Sequence, residues 1–307
     1  MDRTFSIRSI LFSLSKVSIY AANHKEDKVR INSSSGGAFY ALANYVLSKK
    51  GVVIGAAYEK NGTDVSHIII NNKNDLWKLQ KSKYAPSSLA GIHIKELVKH
   101  ENLVLFSGVP CQIQGIKKLF KNHIPDNLIL MEVACHGIPT RKSYQEFIQS
   151  NKISKIDFRC KRDGWKESLI EMSHTDGSIT YQKSTENEFY KKFISGENLR
   201  KSCLSCQSKY FQSGADFTLS DFWGVNEFAP ELNDNKGTSL VFLHTRKARC
   251  IWNVIKCQFV TQKVKLLQAI KWNPNIVRPI QSEPTLLEAI DNWKIQAKQW
   301  VYKIVKE

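Results

Sequence analysis

The chain has 307 residues and contains no apolar run of about eighteen residues, the length a membrane-spanning helix needs. It therefore offers no membrane span. Acidic residues are scarce: 28 Asp and Glu stand against 45 Lys and Arg, a net charge of +17 with His neutral. Seven cysteines are present and none precedes Cys111. An odd number in a chain of this length, without a secretory signal, does not make a disulfide framework. It fits a reducing compartment in which some thiols are committed to a metal, and we expect a cytoplasmic protein. No internal repeat, low-complexity tract or linker breaks the chain. Residues 3–15 are Arg- and Ser-containing and acid-free, as transit peptides are, but the apolar stretch Ile10–Leu14 is too short for a secretory signal.

The remaining composition is that of a globular protein, with 42% hydrophobic and 24% charged residues. The surplus of positive charge favours an anionic partner: nucleic acid, anionic lipid, an acidic protein or a polyanionic cofactor. Nucleic acid ranks lowest, because the basic residues are dispersed and no recognition fold is visible.

Periodicity predicts alternating strands and helices. Strands are expected at 17–21, 52–58, 67–70, 103–107 and 128–134, and helices at 37–49, 75–82, 92–99, 112–120 and 142–149. In the 37–49 helix, Phe39, Leu42, Ala43, Val46 and Leu47 share one face. Apolar runs alternating with helices suggest parallel βαβ units. Beyond about residue 150 the plan changes to strands at 153–158, 168–174 and 178–182, the last two joined by an Asp176-Gly177 hairpin turn. A helix at 187–194, strands at 218–222 and 239–244 and a helical tail follow. The expected fold is a mixed, largely parallel α/β sheet flanked by helices. Its second half is elaborated with a β-hairpin and a cysteine loop.

Several short stretches carry chemistry. Ser34-Ser35-Gly36-Gly37 precedes the first long helix, where small residues and unpaired amides suit an anion; an ordinary N-cap reads the same way. Cys111 and Cys135 each follow an apolar strand, beside Gly and Pro, and ligands bind at the carboxyl ends of parallel strands. A buried thiol acting as a small hydrophobe is the alternative. Cys203-Leu204-Ser205-Cys206 can chelate a metal or cluster, or form a redox pair. Together the four thiols suffice for a 4Fe-4S cluster or a structural zinc. Cys160 lacks such context, and Cys250 and Cys257, a heptad apart in an expected helix, read as core. Asp221-Phe222-Trp223-Gly224 could wall a flat ring or cap the core. Phe158–Trp165 is a basic stretch with aromatics, suited to phosphates or to a solvated strand end.

Taken in order, Ser34–Gly37, Ser82-Lys83-Tyr84, Ser107-Gly108-x-Pro110-Cys111-Gln112, Cys135-His136-Gly137, Phe158-Arg159 with Gly164-Trp165, Cys203-x-x-Cys206 and Asp221–Gly224 resemble the coenzyme F420 hydrogenase/dehydrogenase beta subunit family, which includes the 7-hydroxymethyl chlorophyll a reductases. The resemblance covers roughly residues 17–245. It implies a flavin- and iron–sulfur-dependent oxidoreductase acting on a small-molecule substrate. By the family's motifs, Cys111, Cys135, Cys203 and Cys206 would ligate a 4Fe-4S cluster. Ser34, Ser35, Gly36 and Gly37 would receive the FAD phosphates. Lys83, Tyr84, Ser107, Gly108, Asp221, Trp223 and Gly224 would neighbour the flavin, and His136 would donate a proton.

Family members commonly begin with a ferredoxin-like module built on C-x-x-C runs. With no cysteine before Cys111, residues 1–16 are expected to replace it, followed by a flavin and iron–sulfur domain over 17–275 and a helical tail over 276–307. Electrons would then come in trans from an acidic ferredoxin-like carrier, which the net charge suits. The competing reading is a non-catalytic descendant with a structural metal, or a basic binding protein.

Overall fold

The structure is a computed structural model and describes residues 17–209 and 211–280. The expected replacement segment 1–16, and the tail beyond residue 280, lie outside the described residues. Twelve strands are described: β1 (Ser18–His24), β2 (Val52–Tyr58), β3 (Val65–Ile70), β4 (Ser87–Ser88), β5 (Val104–Gly108), β6 (Leu128–Val133), β7 (Ile153–Cys160), β8 (Leu169–His174), β9 (Ile179–Lys183), β10 (Phe217–Asp221), β11 (Ser239–Leu243) and β12 (Phe259–Lys263). Nine of them form a mixed sheet in the order β12-β1-β11-β10-β6-β5-β2-β3-β4, and β7-β8-β9 form a separate antiparallel sheet. Through the centre, β10, β6, β5 and β2 run parallel. Antiparallel pairs flank them on both sides.

The central strands are apolar on both faces because both faces are covered. Leu105, Ile129 and Met131 enter one core with Leu42, Ala43 and Val46 of the helix Ala38–Ser48 and Trp252 of the helix Arg246–Ile255. Their neighbours Val104, Phe106, Leu128 and Leu130 point the opposite way, onto Ile94, Ile113 and Ile116 of the helices Ile94–His100 and Pro110–Leu119. A period of two thus runs inside what reads as an unbroken apolar stretch. Both parallel strands deliver their following loops, with Cys111 and Cys135, to the same edge.

The small sheet packs Phe158, Ile170 and Met172 against Tyr144 and Phe189 of the helices Arg141–Ser150 and Glu188–Ser195, and this core reaches Val65 and Ala85 at the rim of the large sheet. The expected hairpin turn is present, with Gly177 at a φ of +86°.

Two expectations fail here. The region after residue 244 is not all helical: Phe259–Lys263 forms the edge strand β12, paired antiparallel to β1. As an edge strand it buries Phe259 and leaves Val260 and Thr261 in solvent, so no apolar run announces it. Cys250 and Cys257 are exposed rather than core. The helix buries Ala248, Ile251, Trp252 and Ile255 instead, and it ends before Cys257.

Phe242, the fully buried fourth residue of the five in β11, is expected to anchor the fold. Phe242→Ala should cost about 3–5 kcal/mol, measured as the change in chemical unfolding free energy; a loss below about 1 kcal/mol would contradict the packing.

Candidate active site

A cleft of about 520 Å³ opens at the carboxyl ends of the parallel strands. One wall is the turn before Ala38–Ser48. Gly37 caps that helix at a φ of +94° and has no side chain to offer its first amides, of which Ala38 N donates to Ser239 Oγ at 3.5 Å. Gly36 has a packing reason: a Cβ there would collide with the backbone of Ala22 in β1 and Ser239 in β11. The Ser35 hydroxyl is turned inward and donates to Thr238 O at 2.6 Å. Ser34 faces the cleft and its hydroxyl accepts from that of Ser82 at 2.9 Å.

The opposite wall is Lys83 and Tyr84. Lys83 Nζ donates to the carbonyls of Gln80 and Lys81. Burial pulls its pKa down to about 7, which Asp157 opposes. The Tyr84 ring stacks on Phe193 at 4.9 Å, and burial drives its phenol upward, so the hydroxyl stays protonated at neutral pH. Ser107 and Gly108 close the floor at the end of β5.

Asp221 and Trp223 form the third side. Of the two neighbouring aromatics only Trp223 is exposed; Phe222 is core. Gly224 lies beside the Trp272 ring, which a Cβ at that position would strike. The Phe158–Trp165 stretch is solvated only at Arg162 and Asp163, just past the end of β7, while Arg159 and Trp165 are buried. The Arg159 guanidinium is buried over the rings of Trp165 and Trp223, 5.2 and 5.1 Å from their centroids, and pairs with Asp221 at 3.2 Å. Lys161 is spent on backbone carbonyls.

Cys135 lines the cleft at the end of β6, and His136 follows it. His136 packs tilted against the Phe193 ring at 5.1 Å, and its Nε2 lies 3.1 Å from Ile194 O. Burial lowers its pKa; because a carbonyl oxygen can only accept, Nε2–H donates to Ile194 O, and in the neutral ring Nδ1 is then the unprotonated nitrogen. Cys111, Cys203 and Cys206 are not among the residues that line the cleft. Burial and then the other thiols push the Cys135 thiol up to about 12, against the opposing charge of Lys209. Burial and then Cys206 and Cys203 raise Cys111. The four thiols therefore occupy one electrostatic neighbourhood. Among the described residues no three ligating side chains are closed into a metal cage. The donor set itself, four thiols beside a buried lysine, fits a soft metal or an iron–sulfur cluster, and binding would have to displace the thiol protons. Lys209 donates from Nζ to Cys135 O and, at 2.6 Å, to Asn275 O.

Other cleft residues carry no motif in the sequence. His67 is buried, lies flat on Phe106 at 5.6 Å and makes a 3.2 Å contact from Nε2 to Ser107 O. Tyr190 and Phe193 line the cleft from a helix whose amphipathic pattern reads as plain core. Gln112, which the Ser107–Gln112 motif does include, also lines the cleft and closes the start of its helix by accepting from Val109 N at 3.0 Å.

Two family models of the coenzyme F420 hydrogenase/dehydrogenase beta subunit match the chain: the one for its carboxy-terminal part over residues 101–265, and the one for its amino-terminal part over residues 19–92. No curated protein matches the chain at a significant level. Among solved structures, a chain of the F420-reducing NiFe hydrogenase complex from Methanosarcina barkeri is similar, with a TM-score of 0.59 and 18% identity over 84% of this chain and 88% of that one. At that identity the likeness is one of fold. Among the described residues no helix is long and apolar enough to cross a membrane.

Thiol accessibility gives a direct check. In metal-free protein at pH 8, alkylation should label exposed Cys250 and Cys257 before Cys135, whose thiol is half-buried and stays protonated. Mass mapping that finds Cys135 labelled first would contradict the arrangement.

Proposed function

The chain belongs to the coenzyme F420 hydrogenase/dehydrogenase beta subunit family, and on that premise we propose that it is a flavin- and iron–sulfur-dependent oxidoreductase that acts on a small molecule. One observation carries the reading: the Ser34–Gly37 turn and Cys135 line the same cleft, and the other three thiols are coupled to Cys135. FAD in the cleft would supply hydride chemistry, and a 4Fe-4S cluster on Cys111, Cys135, Cys203 and Cys206 single-electron transfer. The proposed domain spans residues 17–275.

The chain's own residues then have separable tasks. The amides of residues 35–37 meet the phosphates, at the start of a helix without a first-turn acid. Tyr84, stacked on Phe193, and Trp223, backed by Arg159, offer flat walls for the ring. Ser107 and Gly108 bring the β5 terminus against it. Lys83, whose pKa is pulled down to about 7, can hold or pass a proton at Nζ, and His136, whose pKa burial lowers, can do so at Nδ1. Lys209 places a positive charge beside the thiolates and limits their mutual repulsion. The similar fold belongs to one chain of a hydrogenase complex, so a protein partner fits, and the charge of +17 favours an acidic electron carrier.

Purification without oxygen should give a coloured protein with flavin bands and about four iron and four sulfide per chain. Cys203→Ser should lose the iron; unchanged iron would remove Cys203 from the ligand set. A protein that stays colourless after flavin and cluster reconstitution would overturn the reading. Reduction by an acidic ferredoxin should slow as salt is raised, since the attraction is screened; a salt-independent rate would remove that class of carrier.

A further inference from the structure

The Ser34–Gly37 turn is fastened from behind, through its carbonyls. Trp165 Nε1 donates to Ser34 O at 3.1 Å, Lys161 Nζ to Ser35 O at 2.8 Å and His24 N to Gly36 O at 2.8 Å. In a trans peptide the N–H points opposite to its own C=O, and the described chain has no cis peptide. The N–H groups of Ser35, Gly36 and Gly37 therefore all point away from these donors. Among the described residues no acceptor takes any of the three. Ser35 and Gly37 line the cleft. Successive amides turned the same way form an anion-binding concavity.

Lys161 is the central fastening. Its Nζ donates also to Arg30 O and Lys236 O, both at 2.7 Å. All three ammonium protons are thereby used on carbonyls, and one side chain ties the turn to the helix end before it and to the loop before β11. A guanidinium, planar and forked, cannot converge three N–H groups in this way. Lys161 is not among the residues that line the cleft, so its charge has no direct access to a ligand there.

Resting on the flavin reading above, we infer that Lys161 is a positioning residue for phosphate recognition: it orients the 35–37 amides by gripping the turn's carbonyl side, with Trp165 as a second fastening, and touches no phosphate itself. The basic residue near the anion site is thus a structural clamp, and the backbone supplies recognition.

The test compares two flavins on the whole protein. FAD and riboflavin share the ring, and riboflavin carries no phosphate. Binding is followed by flavin fluorescence for the wild type, Lys161→Met, Lys161→Arg and Trp165→Phe, with the thermal midpoint of each recorded. Lys161→Met should weaken FAD at least about tenfold, the scale of a lost charge-assisted hydrogen bond, and leave riboflavin unchanged. Lys161→Arg should weaken FAD as much, because it keeps the charge and loses the geometry. Trp165→Phe should show a smaller loss, again for FAD alone. Wild-type FAD affinity in Lys161→Arg would overturn the inference in favour of charge alone. Equal losses for both flavins would overturn it in favour of general support of the fold. A wild type that binds neither flavin overturns the flavin reading and this inference with it; a wild type that binds FAD beside unaffected variants overturns this inference only. Should Lys161→Met fail to fold, the other two variants decide.

Discussion

Burial of β5 and β6 on both faces is the constraint from which the site follows. With Val104, Leu105 and Phe106, and Leu128 to Met131, wholly inside, neither strand has a face to spare for chemistry. The polar work is left to the loops at their carboxyl ends, and in a parallel pair both loops leave on the same side. Cys111 and Cys135, well separated in sequence, meet for that reason. The antiparallel additions on either side supply the rest: β11 and β1 press on the Ser-Gly turn, and β10 ends at Asp221.

The basic surplus has a double character. Part of it is surface charge, and part is interior carpentry. Lys83, Lys161, Lys209 and Lys247 each donate from Nζ to two or three backbone carbonyls. A buried ammonium is costly unless its protons are satisfied, and carbonyl groups at loop ends supply acceptors without supplying a counter-charge. Lys83, Lys161 and Lys209 fasten loops around the cleft, and Lys247 fastens the loop that enters β6 at its opposite end.

Much of the fold was legible from the sequence because its signals are local. Central strands read as apolar runs, helices as amphipathic stretches, and the Asp176-Gly177 turn as a hairpin. Strand β12 was not legible, since an edge strand held by backbone pairing carries little side-chain signal. The site was legible where a motif marks it, at Ser34–Gly37, Lys83-Tyr84 and Cys135-His136. It was not legible at His67, Tyr190 or Phe193, where a strand or an amphipathic helix brings an ordinary core residue to the cleft. In the Phe158–Trp165 stretch the inward turn of Arg159 was not legible for a related reason: charge in a sequence does not say which way it faces. Arg159 lies over two indoles that pack on each other, and Lys161 among three carbonyls.

Gly36 separates two meanings of a motif. Its lack of a side chain is required by the backbones of Ala22 and Ser239, which press against it whether or not anything occupies the cleft. Selection to keep this sheet folded would therefore preserve the glycine in a lineage that had abandoned cofactor chemistry altogether. A search that treats Ser-Ser-Gly-Gly as a signature of flavin use would return such lineages as false positives. The four cysteines, which the packing of the strands does not demand, are the better marker of ancestry put to continuing use.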